Sequence, residues 1–567
     1  MNQAFKNILK KECKGWRAVL TALVLIAVTP LLVCAVGALG MGLRVEREEW
    51  KMFACVSGIF IGCGFFFYSL IAAIRWLCCW RNLRRFLLTV ASLATLIAIF
   101  YTEEDWRGKH AWEQHVREHA ARGEKLDLSM FIPPAVPDDQ NFCACPLLRP
   151  IMDFKMVHGQ LAWNDTNGFA QVQALRPWFN PNNLPPTITN GLNGWQAYYR
   201  SLTNLSDLSL TNSPAEDVLR VLSRFEPTLA ELKRDAARRP LDRWQIQYDP
   251  GWPWGIYLPH LAQVKGICYL LQLRVMAYLA SGDAPSALSD LQLGFHLANS
   301  IRTEPFFISY LVRNACYDVL LEPLREGLQH HQLSDAQLGD LQRELAAADL
   351  LVGYQLAMRG DRSFNMGWTK LNRKELAELT QILCRDFARP FYPLAVFSSV
   401  APKGWIYQNQ IALSRIYDNH LFPAVDIATR TVPPERTRAI STASTQAAGP
   451  YSVLASLVLQ LHAKLGLRSD YIAYVQTQID EAFIACALER YHLAHGEYPE
   501  TLDGLAPRFA EKLPHDIIDG RPLHYHRTSD GRFLLYSVGW SESDDGGVIV
   551  RKSNGEIDLK KGHWAWP

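Results

Sequence analysis

The chain has 567 residues, of which 49% are hydrophobic and 20% charged, and its formal net charge is +2. This composition excludes extensive disorder, because so apolar a chain can bury enough surface to fold. Residues 1–101 contain 12 Lys and Arg against 4 Asp and Glu, so the remaining residues carry an excess of acid. An acidic remainder is a poor partner for nucleic acid, and we expect no nucleic acid to bind.

Three long apolar runs fill the first hundred residues, at about 18–43, 52–74 and 83–101. Each approaches or exceeds the roughly 20 residues that a helix needs to cross a bilayer. The first run is longer than the apolar region of a cleaved signal peptide, so a retained anchor is the favoured interpretation. The sequence therefore predicts three transmembrane helices, and the lipid bilayer is the first predicted partner.

The charges beside these runs predict the orientation of the chain. Five basic residues precede the first run and four Arg separate the second from the third, whereas the loop between the first two runs mixes both signs. Lys and Arg in short loops favour the cytoplasmic side. We therefore expect a multi-pass protein of the bacterial cell (inner) membrane, with a cytoplasmic N-terminus and residues 102–567 in the periplasm. In a eukaryotic cell the same rule places these residues in a lumen or outside the cell.

Residues 102–213 are expected to form a loop-rich, aromatic layer with a short strand or two, after a short polar helix over 102–127. That helix carries His110, His115 and His119. Their spacing of i, i+5 and i+9 does not gather all three rings on one helix face, so a solvated face is predicted and not a metal site. Further along, Cys143 and Cys145 are too close together for the usual redox or zinc spacing. Their predicted role is structural, and their disulfide state is left open.

Residues 214–468 have the apolar spacing of a helical domain. Ser213 followed by Pro214 is a helix start signal, and Gly282 with Asp283 separates two antiparallel helices. Helices are predicted at about 215–239, 260–280, 285–301, 305–330, 335–358, 371–388, 403–420 and 447–464.

The last hundred residues, 469–567, carry an ordered set of short motifs. A predicted helix over 471–495 leads to Gly496-Glu497-Tyr498-Pro499, then to the segment 519–525 (Asp-Gly-Arg-Pro-Leu-His-Tyr) and to Tyr536-Ser537-Val538-Gly539. This order resembles the globular domain of the major pseudopilins of type II secretion. The whole chain is also similar to large bacterial membrane-anchored proteins of unknown function that carry such a tail. The resemblance implies a small α+β domain with a three-stranded sheet.

What the resemblance implies about assembly and calcium is limited. In pseudopilins the domain is contiguous with one long apolar helix, whereas here it lies hundreds of residues after the last predicted span, which argues against polymerisation. The family often binds calcium after its last strands, where this chain has Glu542, Asp544 and Asp545 before two glycines. Carboxylates on such a loop suit calcium. The same residues also form an ordinary turn.

The sequence contains none of the common hydrolase, nucleotide-binding or zinc-protease motifs. His330 with His331, and His524 with His526, are the densest histidine groups. The second pair points to one face of a predicted strand but lacks a third ligand, so a solvated face is predicted. No catalytic, cofactor-binding or metal-binding residue is assigned, and no cofactor is expected.

The predicted fold class is mainly α, with three N-terminal transmembrane helices, a large helix-rich extracytoplasmic domain and a small C-terminal pseudopilin-like α+β domain. The favoured function is an interaction or scaffolding role in the cell envelope, with envelope or secretion-system proteins as partners. Enzymatic activity is left open, although the absence of catalytic motifs argues against it. The alternative is a membrane-anchored periplasmic hydrolase whose active site is assembled from dispersed residues, with its pocket in the aromatic-rich region 160–260.

Overall fold

The computed structural model describes residues 80–566 except 125, 158–159, 177–190, 203–212, 249–254, 387–396, 447–450, 466–468 and 554. The chain divides into two compact units, Met1–Glu103 and Glu104–Pro567. The described part is mainly helical and has small sheets towards its C-terminus, as predicted. The predicted spans at 18–43 and 52–74 lie outside the described residues.

Helix α1 runs from Trp80 to Ala121. Within the described residues it is the one helix long and apolar enough to cross a membrane, and none of its apolar window is buried. The predicted span at 83–101 is therefore helical, but the separate polar helix predicted from 102 is wrong. No Gly or Pro occurs between Trp80 and Gly108, so nothing in the sequence interrupts the helix where its composition changes.

The region after α1 contains a small hairpin and short helices. Strand β1 (Phe154–Val157) pairs antiparallel with β2 (Gln160–Trp163), in agreement with the short strands expected there. Helix α2 (Thr166–Gln173) begins with a side-chain cap from Asp165, and α3 spans Gly191–Ser201.

The helices that follow pack both on their sequence neighbours and on elements distant in the chain. The single helix predicted over 335–358 is wrong, because Asp349 caps a new helix by accepting from the backbone N–H of Val352 at 3.1 Å. The helix over Pro434–Gln446 is not predicted from the sequence. The helices are α4 (Pro214–Leu222), α5 (Glu226–Arg238), α6 (Pro259–Ala280), α7 (Ala284–Asn299), α8 (Phe307–Gln329), α9 (Asp335–Ala346), α10 (Leu350–Asn365), α11 (Arg373–Asp386), α12 (Lys403–Ile416), α13 (Pro434–Gln446) and α14 (Val453–Leu465).

Helix α15 (Ser469–His495) is the central element of the second unit. Most of its side chains are buried, including polar ones on faces that an amphipathic helix would expose. It packs against α8, α9 and the C-terminal strands. These strands are β3 (His524–Arg527), β4 (Phe533–Ser537) and β7 (Trp564–Trp566), antiparallel in the order β3-β4-β7, and the separate pair β5 (Ile549–Arg551) and β6 (Ile557–Gly562).

Five cysteines are buried free thiols, namely Cys143, Cys145, Cys268, Cys316 and Cys486. Burial raises the pKa of Cys145 to about 11 and holds that of Cys143 well above its ordinary value. Protonated, buried thiols are poor nucleophiles and poor metal ligands. Both residues also belong to the apolar core, so their contacts are those of small hydrophobic side chains.

Candidate metal centre

Three side chains from two distant parts of the chain meet beside a cavity. Glu489 and His492 lie one turn apart on α15, and His331 lies in the turn between α8 and α9. One ligand atom of each residue lies within 4.8 Å of the others. Two imidazoles and one carboxylate form a ligand set typical of catalytic zinc and of non-haem iron, in which further coordination positions stay open.

The turn that carries His331 has an unusual backbone. The N–H of Gln332 donates to the carbonyl of Gly327, and that of His331 donates to Leu328, which is the hydrogen-bonding pattern of a Schellman helix end. The residue at this position adopts a left-handed conformation, and His331 has φ 53°. Glycine is the usual occupant, and a side chain there costs about 1–2 kcal/mol. Such strain is common at functional sites.

The strained backbone aims the His331 ring at a buried carboxylate. Its Nδ1 lies 2.7 Å from Oε1 of Glu489, whose side chain is only 2% exposed. A buried carboxylate is costly unless hydrogen bonds or a cation compensate for lost hydration. The imidazole supplies one such contact, and the carboxylate is thereby fixed in one orientation.

The second carboxylate oxygen of Glu489 accepts a hydrogen bond from the segment Gly496-Glu497-Tyr498-Pro499, which follows α15. Gly496 takes φ 79°, so the chain reverses and the Tyr498 hydroxyl donates to Oε2 of Glu489 at 2.9 Å. Burial, and then the charge of Glu489, raise the pKa of Tyr498. The phenol therefore remains a donor at neutral pH. Hydrogen bonds of this kind orient the ligands in metal sites.

His492 completes the group. Its ring stacks on the ring of His331 with centroids 4.9 Å apart, and on Tyr498 at 4.8 Å. Its Nδ1 is buried and has no hydrogen-bond partner. An orphaned buried nitrogen costs free energy, which a bound ion or a water would recover.

The cavity beside the cluster has a volume of about 400 Å³, which falls in the range of small-molecule sites. All three candidate ligands and Tyr498 line it. The remaining wall comes from the end of α8, α15, the β3–β4 turn with the start of β4, and the last strand, and comprises Leu328, Gln329, His330, Ala485, Asp530, Gly531, Arg532, Phe533 and Trp566. A fourth ligand on the metal would therefore face a space that a substrate can enter.

One pair of the candidate ligand atoms lies close to the spacing found around a metal. Ligands about 2 Å from a tetrahedral zinc ion lie about 3.3 Å from one another. The Nδ1 of His331 and Oε1 of Glu489 are 2.7 Å apart, and the ligand atoms of the group all lie within 4.8 Å of one another. On the tetrahedral geometry, a bound ion would require the His331–Glu489 contact to open by about half an ångström.

Other histidines and acids singled out by the sequence behave differently. His524 and His526 lie on β3, where His524 stacks on Tyr536 at 4.9 Å and its Nδ1 lies 3.5 Å from Asp544. Neither histidine belongs to a described group of three convergent ligands. The prediction of a solvated face is wrong for His115 and His119, which are buried. His110 is exposed, as predicted.

In the loop considered for calcium, the carboxylates form ion pairs and hydrogen bonds with other groups of the protein. Glu542 pairs with Arg438 at 2.6 Å. Asp544 accepts from the Tyr536 hydroxyl at 3.0 Å and from a backbone N–H, and Asp545 accepts from the Ser543 hydroxyl at 3.1 Å. This arrangement is that of a hydrogen-bonded turn.

A second polar cavity, of about 450 Å³, lies partly in the region predicted to hold a hydrolase pocket. Asp242 and His296 face it with a carboxylate oxygen and Nε2 3.1 Å apart. This cavity contains a histidine–carboxylate pair but no third ligand within reach, so among the described residues the convergent ligand group with a cavity is the one at His331.

No protein family, no curated protein and no solved structure matches this chain. The chemistry of the site therefore rests on its own geometry.

Proposed function

We propose that this chain is a membrane-anchored metalloprotein in which His331, Glu489 and His492 hold a divalent transition-metal ion and catalyse hydrolysis in the adjoining cavity. The observation that carries the proposal is the convergence of two imidazoles and a buried, Tyr498-oriented carboxylate on one cavity. This proposal keeps the hydrolase alternative but puts its site at His331, and not in the region 160–260 expected from the sequence.

The residues of the chain have distinct parts in this proposal. Glu489 would supply negative charge to the metal through Oε1, in place of its present contact with His331, while Tyr498 holds Oε2. His331 and His492 would supply ring nitrogens to the ion beside the cavity. A zinc ion held there would supply Lewis acidity and a water of lowered pKa, the chemistry needed to hydrolyse an ester or phosphoester.

Membrane attachment is the second part of the proposal. It is supported by the exposed apolar half of α1 and by the basic flanks of the three apolar runs. We propose a multi-pass protein of the inner membrane with a cytoplasmic N-terminus and the metal site on the periplasmic side. Protease accessibility of residues 104–567 in intact spheroplasts tests this, because protection of these residues would contradict it.

The pseudopilin-like character of residues 469–567 and a scaffolding role with envelope proteins remain proposals. The helix of this segment is the buried centre of the second unit, and Trp564 and Trp566 are buried. This packing supports a tail that completes its own fold.

The activity test uses the full-length protein in detergent, stripped with a chelator and then loaded with zinc. We expect zinc-dependent hydrolysis of p-nitrophenyl esters or phosphoesters, lost in H331Q/H492Q and retained in the exposed-strand control H526Q. Zinc binding without hydrolysis of any substrate in the panel would remove the catalytic part of the proposal. Absence of zinc binding would remove all of it.

A further inference from the structure

A second convergence of metal-binding side chains lies in the second unit, away from any described cavity. His115 and His119 are one turn apart on α1 and are 6% and 1% exposed. Their ring centroids are 4.3 Å apart. Asp418 faces them from the π-helical turn Tyr417–Leu421, and one ligand atom of each of the three lies within 4.8 Å of the others. π-Helical turns occur frequently at functional sites.

The hydrogen bonds define where the lone pairs point. Nδ1 of His119 lies 2.9 Å from the backbone carbonyl of His115, so Nδ1 must carry the proton. In the neutral ring, Nε2 then has a lone pair, and it lies 3.0 Å from a carboxylate oxygen of Asp418. Two acceptors at this distance require a cation between them, either a proton or a metal ion.

His115 favours the metal ion. Its Nε2 is buried without a hydrogen-bond partner, and a proton shared by His119 and Asp418 would leave it so. A metal ion bound by both rings and by Asp418 would give that nitrogen a partner.

The surrounding charges support the carboxylate in a ligand role. Nη1 of Arg362 donates to Oδ1 of Asp418 at 2.6 Å, which leaves Oδ2 towards the histidines. Nη2 of Arg362 donates at 3.0 Å to Glu124, whose carboxylate lies 4.0 Å from Nε2 of His119. In metal sites, a ligand carboxylate usually also accepts a hydrogen bond from another protein group. A ligand histidine usually donates its other ring N–H to a carbonyl or a carboxylate.

We propose that His115, His119 and Asp418 bind a second divalent transition-metal ion, which fastens α1 to the π-helical turn after α12. His115 and His119 are buried, so we assign this ion a structural role, in contrast to the centre at His331, which lines a cavity. This inference is independent of the proposed hydrolase function.

The test separates the two sites by mutation. Full-length protein in detergent is stripped with a chelator and titrated with zinc, using the variant H331Q/H492Q to remove the first site. We expect this variant to retain one tightly bound equivalent and to lose it on addition of H115Q/H119Q. The control H110Q, on the exposed face of the same helix, should retain the equivalent. If H331Q/H492Q already binds no zinc, the proposal is overturned.

A spectroscopic measurement covers the case in which H115Q/H119Q fails to fold. Zinc X-ray absorption of the H331Q/H492Q protein should show two imidazole ligands and carboxylate oxygen. A shell of oxygen alone would mean adventitious zinc and would overturn the proposal, leaving the protonated His119–Asp418 ion pair as the correct description.

Discussion

The hydroxyl of Tyr498 donates to the carboxylate of Glu489 across a 2.9 Å hydrogen bond, and it does so from the turn that directly follows the helix carrying Glu489. The first prediction concerns this bond. Replacing Tyr498 with Phe removes the donor and keeps the ring, so the carboxylate loses its fixed orientation. We expect Y498F to bind zinc about 10–100-fold more weakly, the usual effect of losing such a support.

The matched control for Y498F is Y491F, because Tyr491 lies on the helix that carries Glu489. The Tyr491 ring contacts His495 and Phe509, which are outside the ligand group. Isothermal titration with zinc after chelator treatment measures both variants. Equal zinc affinity of Y498F and the wild-type protein would show that the bond has no part in a metal site.

A second prediction concerns the backbone of His331. Because this residue has φ 53°, glycine should be better tolerated there than alanine. We expect H331G to have a free energy of unfolding about 1 kcal/mol higher than H331A, since both lack the ring and differ mainly in left-handed strain. Urea denaturation of the two metal-free variants measures the difference, and an H331A protein at least as stable as H331G would contradict the strain argument.

A third prediction concerns the crossing of α1 and α12. A Cβ at Gly404 would overlap the backbone of Glu104 in α1, and a Cβ at Gly108 would overlap the backbone of Gly404. This close approach lets Asp105 accept from the N–H of Gly404 at 2.8 Å. We expect G404A to lower the free energy of unfolding by about 1–3 kcal/mol or more, as in overpacked cores.

The control for G404A is G339A, where an added Cβ would meet only the guanidinium of Arg490 at 3.8 Å. Alanine is the better helix former, so G339A should be neutral or stabilising by up to about 1 kcal/mol. Thermal unfolding in detergent compares the two. Similar melting temperatures for G404A and G339A would exclude a tight crossing.

A fourth prediction is a pH dependence of stability at Asp480. Burial raises the pKa of this carboxyl to about 6 despite the opposing charge of Arg430, whose Nη2 lies 3.0 Å away. Between about pH 4 and 6 the native protein keeps a proton that the unfolded chain has released. Stability from this group is therefore present at low pH and is lost as the pH rises through 6, by about 3 kcal/mol at most.

Asparagine at 480 cannot ionise and still accepts from Arg430. We therefore expect D480N to show a smaller loss of unfolding free energy between pH 4.5 and 7 than the wild-type protein in urea titrations. The exposed-site variant D340N serves as the control and should follow the wild-type protein. Parallel pH profiles for all three proteins would contradict the assignment.

The helices that the sequence predicted well are those with local end signals. Helix α6 ends where Gly282 takes φ 81°, and α7 begins where Asp283 accepts from the N–H of Ser286 at 3.1 Å. Both signals are readable without knowledge of the fold. The break before Asp349 carried the same kind of signal, but continuous apolar spacing obscured it.

The candidate metal centre was beyond sequence reasoning because His331 and Glu489 are 158 residues apart, and only the packing of α9 and α8 on α15 joins them. A partial signal existed, since Glu489 and His492 share a helix face at i and i+3. His115 and His119, at i and i+4, also share a helix face, which is readable from the sequence. His110 does not share that face, so the three histidines together do not indicate a metal site.

The most direct test of the central claim is the metal content of the purified full-length protein, measured by inductively coupled plasma mass spectrometry after equilibration with zinc. We predict that the wild-type protein and the control H526Q each hold one more equivalent of zinc per chain than H331Q/H492Q. Equal zinc content in all three proteins would show that His331, Glu489 and His492 form no metal centre, and the proposed hydrolase would fall with it.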